Sequence, residues 1–205
     1  MSDTDITPLR TFVVRATQLI ERHAQDEASL LAAVAPELAT LVITPGWLPE
    51  EFTRPHPQYY QQYLLHADPF ERWSMVSFVW GPGQKTPIHD HRVWGLVGVL
   101  QGAEIGTTFT RGASGPLTKT GAERLEPGHV VAVSPTIGDI HEVANAFTDR
   151  VSISIHVYGG NIGAVRRAVY DPLTGVEKPF VSGYSNTFVP NLRDRSAQVR
   201  ATLGL

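Results

Sequence analysis

GQKTPIHDHRVWGLVGVLQG, residues 83–102, sets two histidines one residue apart just ahead of an apolar run. On an extended strand, residues i and i+2 point to the same face, so His89 and His91 converge while Asp90 points away. The apolar run is one of several. WSMVSFVWGPG (73–83), EIGTTFTRG (104–112), HVVAVSPTIG (129–138) and RVSISIHVYGG (150–160) are likewise rich in β-forming residues and end in Gly/Pro turns. Crossover helices do not separate these runs, which argues against a parallel α/β sheet. The expectation is a mainly β, closed antiparallel sandwich or barrel.

Ahead of this region the texture is helical. Leu9, Phe12, Val13, Ala16, Leu19 and Ile20 recur at spacings of three and four, with Pro8 suited to a first turn and Thr7 to a cap. A second helix is expected from Asp26, with Leu30, Leu31, Val34, Leu38 and Leu41 on one face. The expected organisation is one domain: a helical extension over 1–55 packed outside the barrel, a β core over 56–190, and a polar tail over 191–205 that is loose or weakly helical.

Composition narrows the chemistry. The 205 residues carry 17 Lys+Arg against 20 Asp+Glu, a formal net charge of −3, which suits neither a nucleic-acid partner nor an anionic membrane surface. Apolar stretches fall short of a membrane span and the N-terminus lacks the order of a signal peptide, so a cytoplasmic location is expected. There is no cysteine beside eight histidines. Disulfides, thiolate metal sites and cysteine nucleophiles are therefore excluded, and a metal must be held by imidazole or carboxylate.

The glycine and histidine spacing, G-x5-H-x-H-x3-G-x6-G from Gly83 to Gly102 and then Gly128, Pro135, Gly138, His141 and Asn145, resembles the two motifs of the cupin superfamily. The resemblance implies a double-stranded β-helix, or jelly-roll barrel, with the N-terminal helices on its outside. One departure stands out: Gly95 occupies the place where the first cupin motif usually carries a glutamate ligand. That leaves His89, His91 and His141 as a three-imidazole face, with Glu104 and Glu142 as weaker competitors for the role of ligand.

Ser154, His156 and Tyr158 alternate with Ile155 and Val157 and share one face of a strand. Two readings fit this spacing: a solvent-facing polar edge, or a hydrogen-bond relay in which the imidazole fixes the phenol. WGPGQKTPIHDHRVWGLVGVLQG, GDIHEV and SISIHVYGG together resemble the thiol dioxygenases, the cysteine dioxygenase relatives among cupins. The resemblance implies Fe(II) on His89, His91 and His141, with Ser154, His156 and Tyr158 beside it, and addition of O₂ to a small thiol to give a sulfinic acid. A dry pocket lined by Trp94 and neighbouring aromatics is expected. Without cysteine, the thioether crosslink of some relatives is impossible and Tyr158 is a free phenol.

Gln62, in YYQQYLLHADP, stands where the arginine-type enzymes hold the substrate carboxylate. The chain therefore resembles the glutamine-type subgroup, which prefers 3-mercaptopropionate. The same resemblance implies a second carboxylate contact from Arg167, or from its neighbour Arg166. The alternatives are cysteine dioxygenase activity, with Arg54 as the clamp, and a non-enzymatic metal-binding cupin. His66 lies close enough to Gln62 in sequence to approach the pocket.

Overall fold

The computed structural model describes residues 4–112, 115–194 and 196–203. Two N-terminal helices, α1 (Thr7–Arg22) and α2 (Glu27–Ile43), precede a 3-10 turn (Glu50–Phe52). Then come β1 (Gln61–Ala67), β2 (Ser74–Trp80), β3 (Gly95–Gln101), β4 (Glu104–Arg111) and β5 (Leu117–Leu125). They are followed by β6 (Val130–Val133), β7 (His141–Asn145), β8 (Ser152–Tyr158), β9 (Arg167–Tyr170), β10 (Glu177–Phe180) and a last helix, α3 (Ser196–Leu203). The fold is mainly β, with the jelly-roll architecture expected from the sequence and the helices outside it.

The larger sheet runs β1-β2-β8-β3-β6 and its partner β5-β4-β7, with all named pairs antiparallel. The apolar stripe of α1 (Leu9, Phe12, Val13, Ala16, Ile20) and that of α2 cover the outer face of the larger sheet. Gly98 permits this: a Cβ there would lie 3.1 Å from Leu38 and Val42, so a side chain would hold α2 off the sheet. Asp26 caps α2 by accepting from Ser29 N at 3.1 Å. Thr7 does not cap α1: it is the first helical residue, and Asp5 accepts its N–H at 2.9 Å.

β8 lies between β2 and β3 with all seven of its residues buried. Ile155 and Val157 pack into the helix-facing core, while Tyr158 belongs to the cluster between the sheets with Val76, Phe78, Trp80, Val143 and Ile162. Neither face of this strand meets solvent, so the polar-edge reading of Ser154, His156 and Tyr158 is set aside.

The H-x-H segment differs from expectation. It is not part of a continuous strand but a narrow bridge in which His89 pairs with His141 on one side and Val169 on the other, joining β7 to the β9–β10 hairpin. The cause is local. Pro87 has no N–H to give a ladder. The N–H groups of His91 and Arg92 go to the Asp139 carboxylate at 2.8–3.0 Å, and Arg92 turns into the left-handed region with φ 60°. The tail is anchored to α1 through Arg10 Nε to Leu192 O (2.7 Å) and Gln198 Nε2 to Thr7 Oγ1 (3.1 Å). No described helix is long and apolar enough to cross a membrane.

Candidate metal centre

His89, His91 and His141 present ligand atoms within 4.8 Å of one another, and all three are buried. Among the described residues no other group of three metal-capable side chains gathers in this way. The bridge sets the spacing of the first pair. His89 N donates to His141 O at 2.9 Å and His141 N returns a bond to His89 O at 3.0 Å, so the two side chains leave directly opposed positions. The imidazole centroids stand 4.8–4.9 Å apart.

Two outer partners orient the rings. His89 Nδ1 lies 3.0 Å from Pro87 O and His91 Nδ1 lies 2.8 Å from Asp139 Oδ1. Because a carbonyl and a carboxylate only accept, both Nδ1 atoms carry the proton, leaving Nε2 as the free lone pair. His91 Nε2 is buried with no hydrogen-bond partner, an orphaned acceptor aimed at the space among the three rings. Burial pushes the imidazoles down, His89 to about 3 and His141 well below its ordinary value, with the neighbouring imidazoles adding to the effect. Burial lowers His91 too, against the pull of Asp139. All three are thus neutral bases near neutral pH, the form that binds a metal. The donor set fits a divalent first-row ion, held by imidazole with other positions open.

Neither competing glutamate joins the group. Glu142 pairs with Lys85 Nζ at 2.9 Å, and Glu104 is fully buried beside Ser154 and Trp80. Gly95 leaves no room for the usual carboxylate. A Cβ there would lie 2.9 Å from Cδ1 and 3.0 Å from Cε1 of Tyr158, and 3.1 Å from Val133. The tyrosine ring takes that space and stacks on His91 at 5.2 Å.

Ser154, His156 and Tyr158 form a continuous chain of hydrogen bonds. Ser154 Oγ lies 2.8 Å from His156 Nε2, and His156 Nδ1 lies 2.8 Å from Tyr158 Oη. The Trp80 indole donates to Ser154 Oγ at 3.2 Å, and Phe78 packs on the His156 ring at 4.2 Å. Burial keeps His156 neutral and raises Tyr158 well above the usual phenol value, so its hydroxyl stays protonated.

Gln62 and Arg167 are both buried and meet at a third residue, Ser182. Gln62 Nε2 donates to Ser182 Oγ at 3.2 Å and to Gly183 O at 3.0 Å, and Arg167 Nη2 donates to Ser182 Oγ at 2.7 Å. The guanidinium lies over the Phe180 ring at 4.7 Å, and its Nε–H is buried without an acceptor. Arg167 faces inward at the start of β9 and its charge acts on all three histidines, on His156 and on Tyr158, whereas Arg166 is exposed. A cavity of about 320 Å³ beside them is lined by Tyr60, Gln62, Phe180, Ser182 and Tyr184, among others.

Three expectations need correction. Trp94 packs into the helix-facing core and over Gly159, so the aromatics beside the relay are Tyr60, Phe78 and Trp80. His66 packs on Trp73 at 4.8 Å and lines a groove with α1 residues, away from Gln62. Arg54 is exposed and paired with Glu50 at 3.3 Å, so it is no clamp. Sequence reasoning also missed Asp139, Ser182 and the task of Asp90, which fastens the bridge to β9 by accepting from Ala168 N (2.7 Å) and Tyr170 Oη (2.8 Å). Asp139, two residues before His141, carried a signal in its position; Ser182 carried none.

Fold and site together define a mainly β, two-sheet antiparallel protein with a buried three-histidine group able to hold a metal ion. Residues 1–170 match the family model for cysteine dioxygenase type I, and the chain belongs to that family. Membership implies a metal-dependent thiol dioxygenase that takes a small thiol and O₂. Among solved structures, the chain is similar to a conserved protein with a double-stranded β-helix domain from Klebsiella pneumoniae: 19% identity, 60% of this chain, 93% of that one, TM-score 0.43. It is also similar to an RmlC-like cupin from Desulfovibrio desulfuricans: 20% identity, 54% of this chain, 92% of that one, TM-score 0.40.

Proposed function

We propose that the chain is an Fe(II)-dependent 3-mercaptopropionate dioxygenase, with His89, His91 and His141 as the metal ligands. The observation that carries this reading is Arg167. It is a buried guanidinium near the three histidines, and among the described residues no carboxylate lies within ion-pair distance of it. A buried cation without a partner is costly, and an anionic ligand removes that cost. A thiol bearing a carboxylate supplies the anion at one end and the reactive sulfur at the other.

When bound, ferrous iron supplies coordination for a thiolate and the redox chemistry that lets O₂ react with it; the sum is RSH + O₂ → RSO₂H. The protein's own share is placement. Arg167 holds the carboxylate by charge-assisted hydrogen bonds. Ser182 Oγ accepts from both Gln62 and Arg167, which occupies its lone pairs and leaves its hydrogen to donate to the same carboxylate. Gln62 acts by fixing Ser182, since both of its amide hydrogens already go to protein oxygens. Tyr158 holds its hydroxyl in place through His156 and Ser154, while Tyr60, Phe78 and Trp80 keep water out.

3-Mercaptopropionate is favoured over cysteine because Gln62 stands where the arginine-type enzymes hold the carboxylate, as in the glutamine-type relatives that the sequence resembles. Oxygen-electrode assays of the Fe(II)-loaded protein with 3-mercaptopropionate, cysteine and cysteamine test the proposal. The expected order of kcat/KM places 3-mercaptopropionate first and cysteamine, which lacks a carboxylate, last. A higher value for cysteine would overturn the substrate assignment, and O₂ consumption with none of them would overturn the activity.

A further inference from the structure

Among the described residues, Glu104 is the one fully buried carboxyl side chain, and the proposed chemistry leaves it without a task. It sits at the start of β4, opposite Leu125 of β5 and Asn145 of β7, and faces Trp80 of β2 and Ser154 of β8. None of these neighbours is charged; His156 and Tyr158 are joined to the site through Ser154. Neither Glu104 oxygen makes a regular hydrogen bond, although the Ser154 hydroxyl and the Trp80 N–H are near enough to act on the carboxyl, and its charge is felt at Tyr158.

Hydrogen-bond capacity ties this carboxyl to the relay. Ser154 Oγ has one hydrogen and two lone pairs, and one lone pair is taken by the Trp80 indole, which can only donate. His156 is neutral, so one of its nitrogens donates and the other accepts. With Glu104 protonated, its O–H is the donor that can turn onto the second lone pair of Ser154, closing a contact that is longer than a regular hydrogen bond in this structure. Ser154 must then donate to His156 Nε2, Nδ1–H must donate to Tyr158 Oη, and the Tyr158 hydrogen is free to point toward the three histidines. With Glu104 ionised, every bond reverses. Ser154 donates to the carboxylate, Nε2–H donates to Ser154, and Tyr158 turns its hydrogen back onto Nδ1.

We propose that Glu104 is the fourth member of the relay, a positioning residue whose proton sets the direction in which the Tyr158 hydroxyl donates. The inference rests on the proposed role of Tyr158 but not on turnover. Burial in apolar surroundings holds the Glu104 carboxyl protonated, with a value raised to about 8, so the donating direction prevails at neutral pH.

The test uses the full-length protein, metal-free and again loaded with Zn(II). Infrared difference spectra across a pH titration report the C=O stretch of a protonated buried carboxyl, and ¹³C-ζ tyrosine NMR, assigned with Tyr158→Phe, reports the phenol. The expected result is a carboxyl band at pH 6.5 that is lost with a midpoint near 8, together with a Tyr158 shift of the same midpoint. In Glu104→Gln the amide N–H replaces the acid as donor to Ser154, so the band is absent and Tyr158 stays at its low-pH position at every pH. In Ser154→Ala the band still titrates but Tyr158 no longer follows. Absence of a Glu104 band at pH 6.5, a Tyr158 shift that persists in Glu104→Gln, or a Tyr158 signal indifferent to Glu104 titration would each overturn the proposal. None of these readouts depends on which thiol is oxidised.

Discussion

His89 and His141 exchange both backbone hydrogen bonds, at 2.9 and 3.0 Å, across a bridge only one residue pair wide. Main chain therefore fixes the separation of two of the three imidazoles, whereas the third is set by a side chain. His91 takes its position from Asp139, which accepts from His91 N at 3.0 Å, His91 Nδ1 at 2.8 Å and Arg92 N at 2.8 Å. The two kinds of support should fail differently.

Asp139→Ala removes the orienting acceptor of His91 and leaves every ligand in place. Loss of such an outer partner lowers metal affinity by about 10–100-fold. Competition titration against a chelator measures it, with His91→Ala expected to lose far more. An Asp139→Ala affinity equal to that of the wild type would mean that the bridge alone orients all three rings.

Gly95→Ala is expected to be costly despite adding one methyl group. The new Cβ would fall 2.9 Å from the Tyr158 ring and 3.1 Å from Val133, and Tyr158 is pinned on its other sides by His91 and His156. Overpacking of this kind costs about 1–3 kcal/mol. Chemical denaturation reads the loss, and a crystal structure should show the phenol displaced from His156 Nδ1. Unchanged stability with Tyr158 in place would show that the ring has slack here.

What could be read in the sequence is what spacing encodes locally. The H-x-H pair, the third histidine and the Ser-x-His-x-Tyr alternation each place side chains relative to near neighbours, and the structure brings each set together. Harder to read was anything set by contacts distant along the chain. Ser182 meets Gln62 from 120 residues away, and nothing in its surroundings marks it. Trp94 adjoins the histidine motif, yet packs on the helices because the chain turns at Arg92 before β3 begins. The choice between Arg166 and Arg167 needed only the register of β9, which turns Arg167 inward, but short strands give no independent phase.

Replacing Arg167 should separate binding from stability. Arg167→Met keeps much of the volume and removes a buried, unpaired cation, so thermal stability should hold or rise. Substrate binding should move the other way. A hydrogen bond to a charged group contributes about 1.5–3 kcal/mol, so KM for 3-mercaptopropionate is expected to rise roughly 10- to 100-fold while that for cysteamine stays put. Equal losses for both thiols, or a marked fall in Tm, would mark Arg167 as a structural residue instead.

The metal-free protein should show a stability maximum at about pH 7, formed by two opposing sets of buried groups. Burial lowers His89 to about 3 from 6.5 and lowers His91, His141 and His156 as well. Below pH 6.5 the unfolded chain therefore binds protons that the folded chain does not, and stability falls as pH falls. Glu104 acts with the opposite sign. Its value is raised from 4.5 to about 8, so between those limits the folded chain holds an extra proton and stability falls as pH rises. From 4.5 up to about pH 7 the four histidines outweigh the single carboxyl; above about pH 7 the carboxyl dominates. Thermal melts from pH 4 to 9 should show both limbs in the wild type. Glu104→Gln should flatten the limb between about pH 7 and 8 and steepen the acid limb above 4.5, where the carboxyl no longer opposes the histidines. An alkaline limb of undiminished slope in that variant would show that Glu104 is already ionised in the folded protein.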